Sequence, residues 1–94
     1  MLTKRTLFEQ LLGFRLSKIA CEMVDQPEFV SINTLVADGG AIFTIQSHPD
    51  DTGKLIGKQG RNAQSIRIIF SAIGMKLHRR YVIDVDGEPV ESGR

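Results

Sequence analysis

Two glycines, Gly57 and Gly60, bracket Lys58-Gln59 where one helical pattern must stop and another begin. Glycine inside a helix costs up to about 1 kcal/mol relative to alanine, so two of them so close together mark a turn rather than a continuous helix. Upstream, Ser47-His48-Pro49-Asp50-Asp51 reads as a helix start. Ser47 can cap, Pro49 suits the first turn, and two carboxylates face the positive end of the dipole. A short helix is therefore expected to about Ile56. A longer one follows from Arg61 to about Gly74, with Ala63, Ile66, Ile69, Phe70 and Ile73 as its buried stripe. The turn lets a ligand approach the main chain without meeting a Cβ, and the next helix offers unpaired amides. With Lys58 at the tip and Lys54 and Arg61 nearby, the combination suits a sugar–phosphate backbone. On its own, a Gly-x-x-Gly tetrapeptide is more often a plain helix–helix turn.

The rest of the chain supplies a sheet and one more helix. Leu7/Phe8, Leu11/Leu12, Leu16, Ile19/Ala20 and Met23/Val24 recur at helical spacing, and the pattern ends near Asp25-Gln26-Pro27, where proline forbids continuation. Packing of this helix on the domain's own sheet is favoured over a membrane surface, because Glu9 and Glu22 balance its basic residues. Phe29–Val36 and Ala41–Gln46 are strands, joined by the hairpin signal Ala37-Asp38-Gly39-Gly40. Arg79–Asp86 is a last strand, with Tyr81, Ile83 and Val85 on one face. The order is α-β-β-α-α-β, an α+β fold. Ninety-four residues suffice for one domain, placed at 1–86, with 1–11 extending the first helix and 87–94 a flexible tail.

Charge is segregated. Lys54, Lys58, Arg61, Arg67, Lys76, Arg79 and Arg80 fall in one segment without a single Asp or Glu, while the remainder holds all eleven acidic residues. One positive face is the footprint of a polyanion-binding surface; a solvated helix face is the plainer alternative. A single cysteine, Cys21, excludes an internal disulfide and reads as a small buried apolar residue. His48 and His78 lie far apart with no metal-ligand spacing and no adjacent nucleophile, so no metal site and no catalytic constellation is expected. Asp50-Asp51 belongs to a helix start rather than to acid–base chemistry. Gly53-x-x-x-Gly57-Lys58-Gln59 lacks the spacer and the Ser/Thr of a P-loop. No apolar run approaches a membrane span, and Glu9, Gln10 and Arg15 break any secretory leader, so a cytoplasmic protein without a membrane partner is expected.

In this context the glycine loop acquires meaning. Asp51-Thr-Gly-Lys-Leu-Ile-Gly-Lys-Gln-Gly-Arg61, after a strand and before an amphipathic helix, resembles the KH (K-homology) RNA-binding domain, with Ile56-Gly57-Lys58-Gln59-Gly60 as its Ile-Gly-x-x-Gly signature. The element order matches the type II arrangement. Asp25-Gln-Pro-Glu28, His48-Pro-Asp-Asp51, Gly53 to Arg61 and Tyr81-Val-Ile-Asp-Val85 look like the small stand-alone bacterial KH proteins of the KhpA (YlqC-like) family, in register from about Leu12 to Asp86. Met1–Leu11 begins earlier than that family usually does.

The resemblance implies a three-stranded sheet covered on one face by three helices, with the GxxG loop between the second and third helices. It implies single-stranded RNA as ligand, no cofactor, and the contact set Lys54, Ile56, Gly57, Lys58, Gln59, Gly60, Arg61 and Ala63. The loop would clamp the backbone of about four nucleotides. Bases would lie on Ile56, Ala63, Ile66 and Ile45 or Phe43, with Gln46 able to bias base choice; the core has an equal claim on Phe43, Ile45 and Ile66. Ala63 stands where KH domains often carry a bulky aliphatic residue, which makes the groove shallower. Family members act as RNA chaperones or regulators tied to cell shape and peptidoglycan homeostasis, and pair with a larger Jag-type KH protein. The alternative is a module for docking, as a homodimer or heterodimer, that binds RNA only with its partner. Its contact would come from the outer side of the first helix or the Ile-rich half of Arg61–Gly74.

Overall fold

Alternating strands set the architecture. In the computed structural model, which describes residues 3–89, β1 (Ser31–Ala37) and β2 (Gly40–Gln46) form an antiparallel hairpin with Leu35 opposite Ile42. Strand β3 (Arg80–Val85) lies parallel to β2 on its other side, Phe43 beside Ile83, giving the order β1-β2-β3. A parallel neighbour requires a crossover connection, which the intervening helices supply. Ala41, Phe43 and Ile45 share their buried face with Tyr81, Ile83 and Val85. Phe43 sits at the centre, its ring edge-to-face with Phe70 at 5.3 Å and with Tyr81 at 5.7 Å.

Three helices cover that face, as in a type II KH domain. Helix α1 (Lys4–Met23) starts where the Thr3 hydroxyl accepts the Thr6 amide at 3.0 Å, and it buries Leu12, Leu16 and Ala20. Helix α2 (Thr52–Ile56) is a single short piece that buries Leu55, and α3 (Arg61–Leu77) buries Ala63, Ile66 and Phe70. Some expected boundaries and burials shift. Phe29 lies in a 3-10 turn, Pro27–Phe29, opened by the fixed φ of its proline, and β1 begins at Ser31. Helix α3 runs past Gly74 to Leu77, because Gly74 is buried under Arg79 and Tyr81, and His78 in the left-handed region (φ 58°) closes the helix instead. Ile69 faces solvent rather than the core, and Cys21 is only half-buried, its Sγ 3.7 Å from the Pro27 carbonyl.

One buried ion pair joins elements from both ends of the chain. Glu9 of α1 is fully buried and accepts from Arg79 Nε at 2.7 Å, Arg79 Nη2 at 3.0 Å and the Tyr81 hydroxyl at 2.8 Å. Arg79 also donates to the carbonyls of Ala37, Asp38 and Gly40, so one guanidinium binds α1 to the hairpin turn. Burial pushes the Glu9 carboxyl up, but the hydrogen bonds from Arg79 and Tyr81 together outweigh it and hold it below the usual carboxylate range. Burial and then the Glu9 carboxylate push Tyr81 up to about 12, so its phenol stays a donor at neutral pH. Because the folded pKa of Glu9 lies below its ordinary 4.5, the pair's contribution is complete above that value and is lost as pH falls through the lower folded one. Glu9→Gln should therefore melt about 5 °C lower at pH 7, and the gap to wild type should close in acid. Thermal melts followed by circular dichroism from pH 7 to 3 test this; a gap independent of pH would contradict it.

The described residues after β3 are tied down. Glu88, expected in a flexible tail, pairs with Arg67 at 2.6 Å, while Arg67 Nε donates to the Ile83 carbonyl at 3.0 Å. Residues 90–94 of that tail lie outside the described residues, as do Met1 and Leu2 of the expected helix extension.

Candidate nucleic-acid interface

The Gly57–Gly60 loop owes its shape to backbone angles that few residues tolerate. Gly57 (φ 80°), Gln59 (φ 58°) and Gly60 (φ 74°) all take positive φ. The Gly57 amide donates to the Gly53 carbonyl at 2.8 Å and ends α2; Gly60 returns to Gly57 at 3.0 Å. Asn62 then locks the corner, its side-chain amide donating to the Lys54 carbonyl at 2.8 Å. A Cβ on Gly57 would lie 2.6 Å from the Asn62 side chain and 2.7 Å from its backbone nitrogen, whereas one on Gly60 would meet nothing. Gly57→Ala should therefore cost roughly 2–3 kcal/mol and Gly60→Ala only about 1 kcal/mol. Urea melts check the ranking, and equal costs would contradict the packed corner.

This geometry leaves Lys58 and Gln59 exposed at the tip, beside the first turn of α3. Gln59 Oε1 accepts from Arg61 Nη2 at 3.1 Å, which holds the guanidinium beside the loop. Left-handed φ at a non-glycine residue is unusual, and such strained positions cluster at ligand clamps.

Pairing trims the positive face read from composition. Lys54 lies 3.3 Å from Asp25 and 3.9 Å from Asp51, Arg67 is paired with Glu88, and Arg79 with Glu9. Among the described residues, Lys58, Arg61, Lys76 and Arg80 are the cations of that segment with no ion pair. Asp51 is itself buried and accepts the Asp25 and Gln26 amides at 3.3 and 3.0 Å, fastening the connection after α1. The cap expected of Ser47 is made by His48, whose Nδ1 accepts the Asp50 amide at 3.1 Å.

Of the expected contact set, the structure brings Gly57, Lys58, Gln59, Gly60 and Arg61 together at one accessible corner, with Lys54 and half-buried Ile56 behind them. Ala63 is different: it is fully buried, as are Phe43 and Ile45, and Ile66 is nearly so. These four side chains are held in the core, and of the expected base floor half-buried Ile56 remains partly accessible. An open hollow of about 440 Å³ lies instead between α3 and β3, lined in part by Arg67, Ser71, Met75, Arg80 and Val82. Its only sequence signal was the outward phase of Arg80 and Val82 on the last strand. Among the described residues no group of His, Cys, Asp and Glu could hold a metal ion, and no helix is long and apolar enough to cross a membrane.

Comparison with known proteins points to one family. The family model described as the KH domain of KhpA/KhpB matches residues 15–85. The RNA-binding protein KhpA of Clostridium perfringens is 37% identical over 67 residues, 71% of this chain and 89% of that protein. Its namesake from Caldanaerobacter subterraneus subsp. tengcongensis is 35% identical over 74 residues, 79% of this chain and 99% of that protein. The one from Streptomyces coelicolor is 38% identical over 64 residues, 68% of this chain and 81% of that protein. No solved structure gives a significant match.

Proposed function

The chain belongs to the KhpA/KhpB KH-domain family, and from that premise we propose that it binds single-stranded RNA by its backbone through the Gly57-Lys58-Gln59-Gly60 loop. The observation that carries this reading is the loop itself: three positive-φ residues present Lys58 and Arg61, both without an ion pair among the described residues, at the start of a long helix. The glycine Cα atoms let phosphates reach the main chain, the helix amides and dipole favour anions, and the two cations add attraction. Gln59 positions Arg61 and can itself donate to a phosphate or ribose oxygen.

Base preference on this reading is weak, because all but Ile56 of the side chains expected to floor a groove are held in the core. Such a binder serves as an RNA chaperone or post-transcriptional regulator in a bacterial cytoplasm, where it would act on many RNAs. With Lys54 partly neutralised, two or three phosphates are contacted, so log affinity against log salt should slope at about −1.5 to −2. Fluorescence anisotropy of a labelled random single-stranded RNA between low and moderate salt measures it. A slope near zero would contradict phosphate contact.

A second reading rests on the outer face of α3. Ile68 and Met75 stand exposed on one side of the helix two turns apart, with exposed Ile69 next to them, which favours docking on a second copy or on a larger Jag-type KH protein that completes the RNA surface. Light scattering of wild type against Ile68→Gln/Met75→Gln tests the homodimer; a monomer at high micromolar concentration excludes it.

A further inference from the structure

Helix α1 is apolar on two opposite sides. Its inner side buries Glu9, Leu12, Gly13, Leu16 and Ala20, yet Leu7, Leu11 and Phe14 point the other way and remain 51%, 49% and 58% exposed. With Lys4 and Lys18 they form one line at intervals of three, four, three and four residues: Lys4, Leu7, Leu11, Phe14, Lys18. Lys18 lies along this line, its ammonium 5.1 Å from the Phe14 ring centroid. The spacing is that of a two-helix seam, about 21 Å long and bounded at each end by a lysine. The surface up to Phe14 lies before the residues 15–85 that the family model matches.

The charge around the seam selects its occupant. Glu9, the acid nearest its centre in sequence, is buried and satisfied by Arg79, so it offers nothing outward, and the exposed Glu22 lies a turn beyond the Lys18 end of the seam. Lys4, Arg5, Arg15 and Lys18 are exposed and make no ion pair among the described residues. A second copy fits poorly: antiparallel pairing about Leu11 sets Lys4 against Lys18, and parallel pairing sets each lysine against itself. A bilayer fits poorly as well, since lysines on the centre line of a narrow stripe would be driven into the apolar layer. An acidic helix answers both features.

We propose that the outward seam Lys4–Leu7–Leu11–Phe14–Lys18 of α1 docks an amphipathic helix of another protein, one that carries an apolar stripe flanked by Asp or Glu. The Glu9–Arg79 pair holds α1 rigidly from behind, so the seam is presented ready-made and little ordering is needed on binding.

The test uses the full chain and a labelled synthetic helix about three heptads long, with leucine at its a and d positions and glutamate at e and g, read by fluorescence anisotropy. A second peptide carries lysine in place of every glutamate. Wild type should bind the glutamate peptide at least roughly tenfold more tightly than the lysine peptide. Leu7→Gln/Leu11→Gln should lose that binding by a similar factor while keeping the wild-type melt and RNA affinity, because both side chains are exposed and glutamine is a good helix former. Lys4→Glu/Lys18→Glu should reverse the preference. Equal binding of the two peptides, or none, overturns the proposal. So does a dimer in light scattering that Leu7→Gln/Leu11→Gln dissolves, which would assign the seam to a second copy. Binding to phosphatidylglycerol vesicles that the same variant abolishes would overturn it in favour of a lipid surface.

Discussion

Replacing Lys58 and Gln59 together by aspartate should weaken single-stranded RNA binding by about a hundredfold at low salt, with little change in stability. The substitution removes one exposed cation and sets two carboxylates where phosphates would approach. Lys58 makes no ion pair among the described residues, and Gln59 contributes one exposed hydrogen bond to Arg61, so the melt should move by less than about 5 °C. Aspartate is also among the residues that tolerate the left-handed conformation at position 59, which limits backbone strain. Anisotropy titrations beside circular dichroism melts give both quantities. Unchanged affinity would remove the loop from the binding site, and a collapsed melt would assign it to the core.

The largest effect on stability should come from Gly40→Ala. Gly40 is buried at the start of β2, paired with Ala37 on one side and Arg80 on the other. A Cβ there would lie 1.6 Å from the Arg80 carbonyl oxygen and 2.6 Å from its carbonyl carbon, which are backbone atoms and cannot swing aside. Accommodating it would pull β3 from β2 where Arg80 donates to the Gly39 carbonyl at 2.8 Å and where Arg79 reaches the Gly40 carbonyl. The cost should exceed about 4 kcal/mol, most of the stability of a domain this size. Gly39→Ala, one residue earlier with open space around it, should cost less than about 1 kcal/mol. Urea denaturation of both variants decides; a Gly40→Ala protein as stable as wild type would contradict the close strand approach.

What could be read from the sequence was what is local. The alternation at Ala41, Phe43 and Ile45 and at Tyr81, Ile83 and Val85 reports a buried face directly, and the glycines of the loop report their own φ angles. What escaped was non-local pairing. Arg79 finds Glu9 seventy residues away, and Arg67 finds Glu88 beyond the next strand, so a charge tally by segment counted both as free. Asp51 looked like a dipole partner because its true role, accepting the Asp25 and Gln26 amides, depends on how α1 meets α2. The expected base floor shrinks to Ile56 for a related reason. Phe43, Ile45, Ala63 and Ile66 satisfy an apolar pattern equally well in a groove or in a core, and a small domain has no such residues to spare. Gly74 shows tertiary packing overriding propensity, for the helix continues through it to keep contact with β3.

The most direct test of the central claim is amide chemical-shift mapping: ¹⁵N-labelled protein titrated with a short unlabelled single-stranded RNA. A backbone clamp at the glycine loop predicts the largest shifts at Gly57, Lys58, Gln59, Gly60 and Arg61, with small ones on the open sheet face at Leu35 and Ile42. Shifts centred on that sheet face or on α1, with the loop amides unmoved, would contradict it.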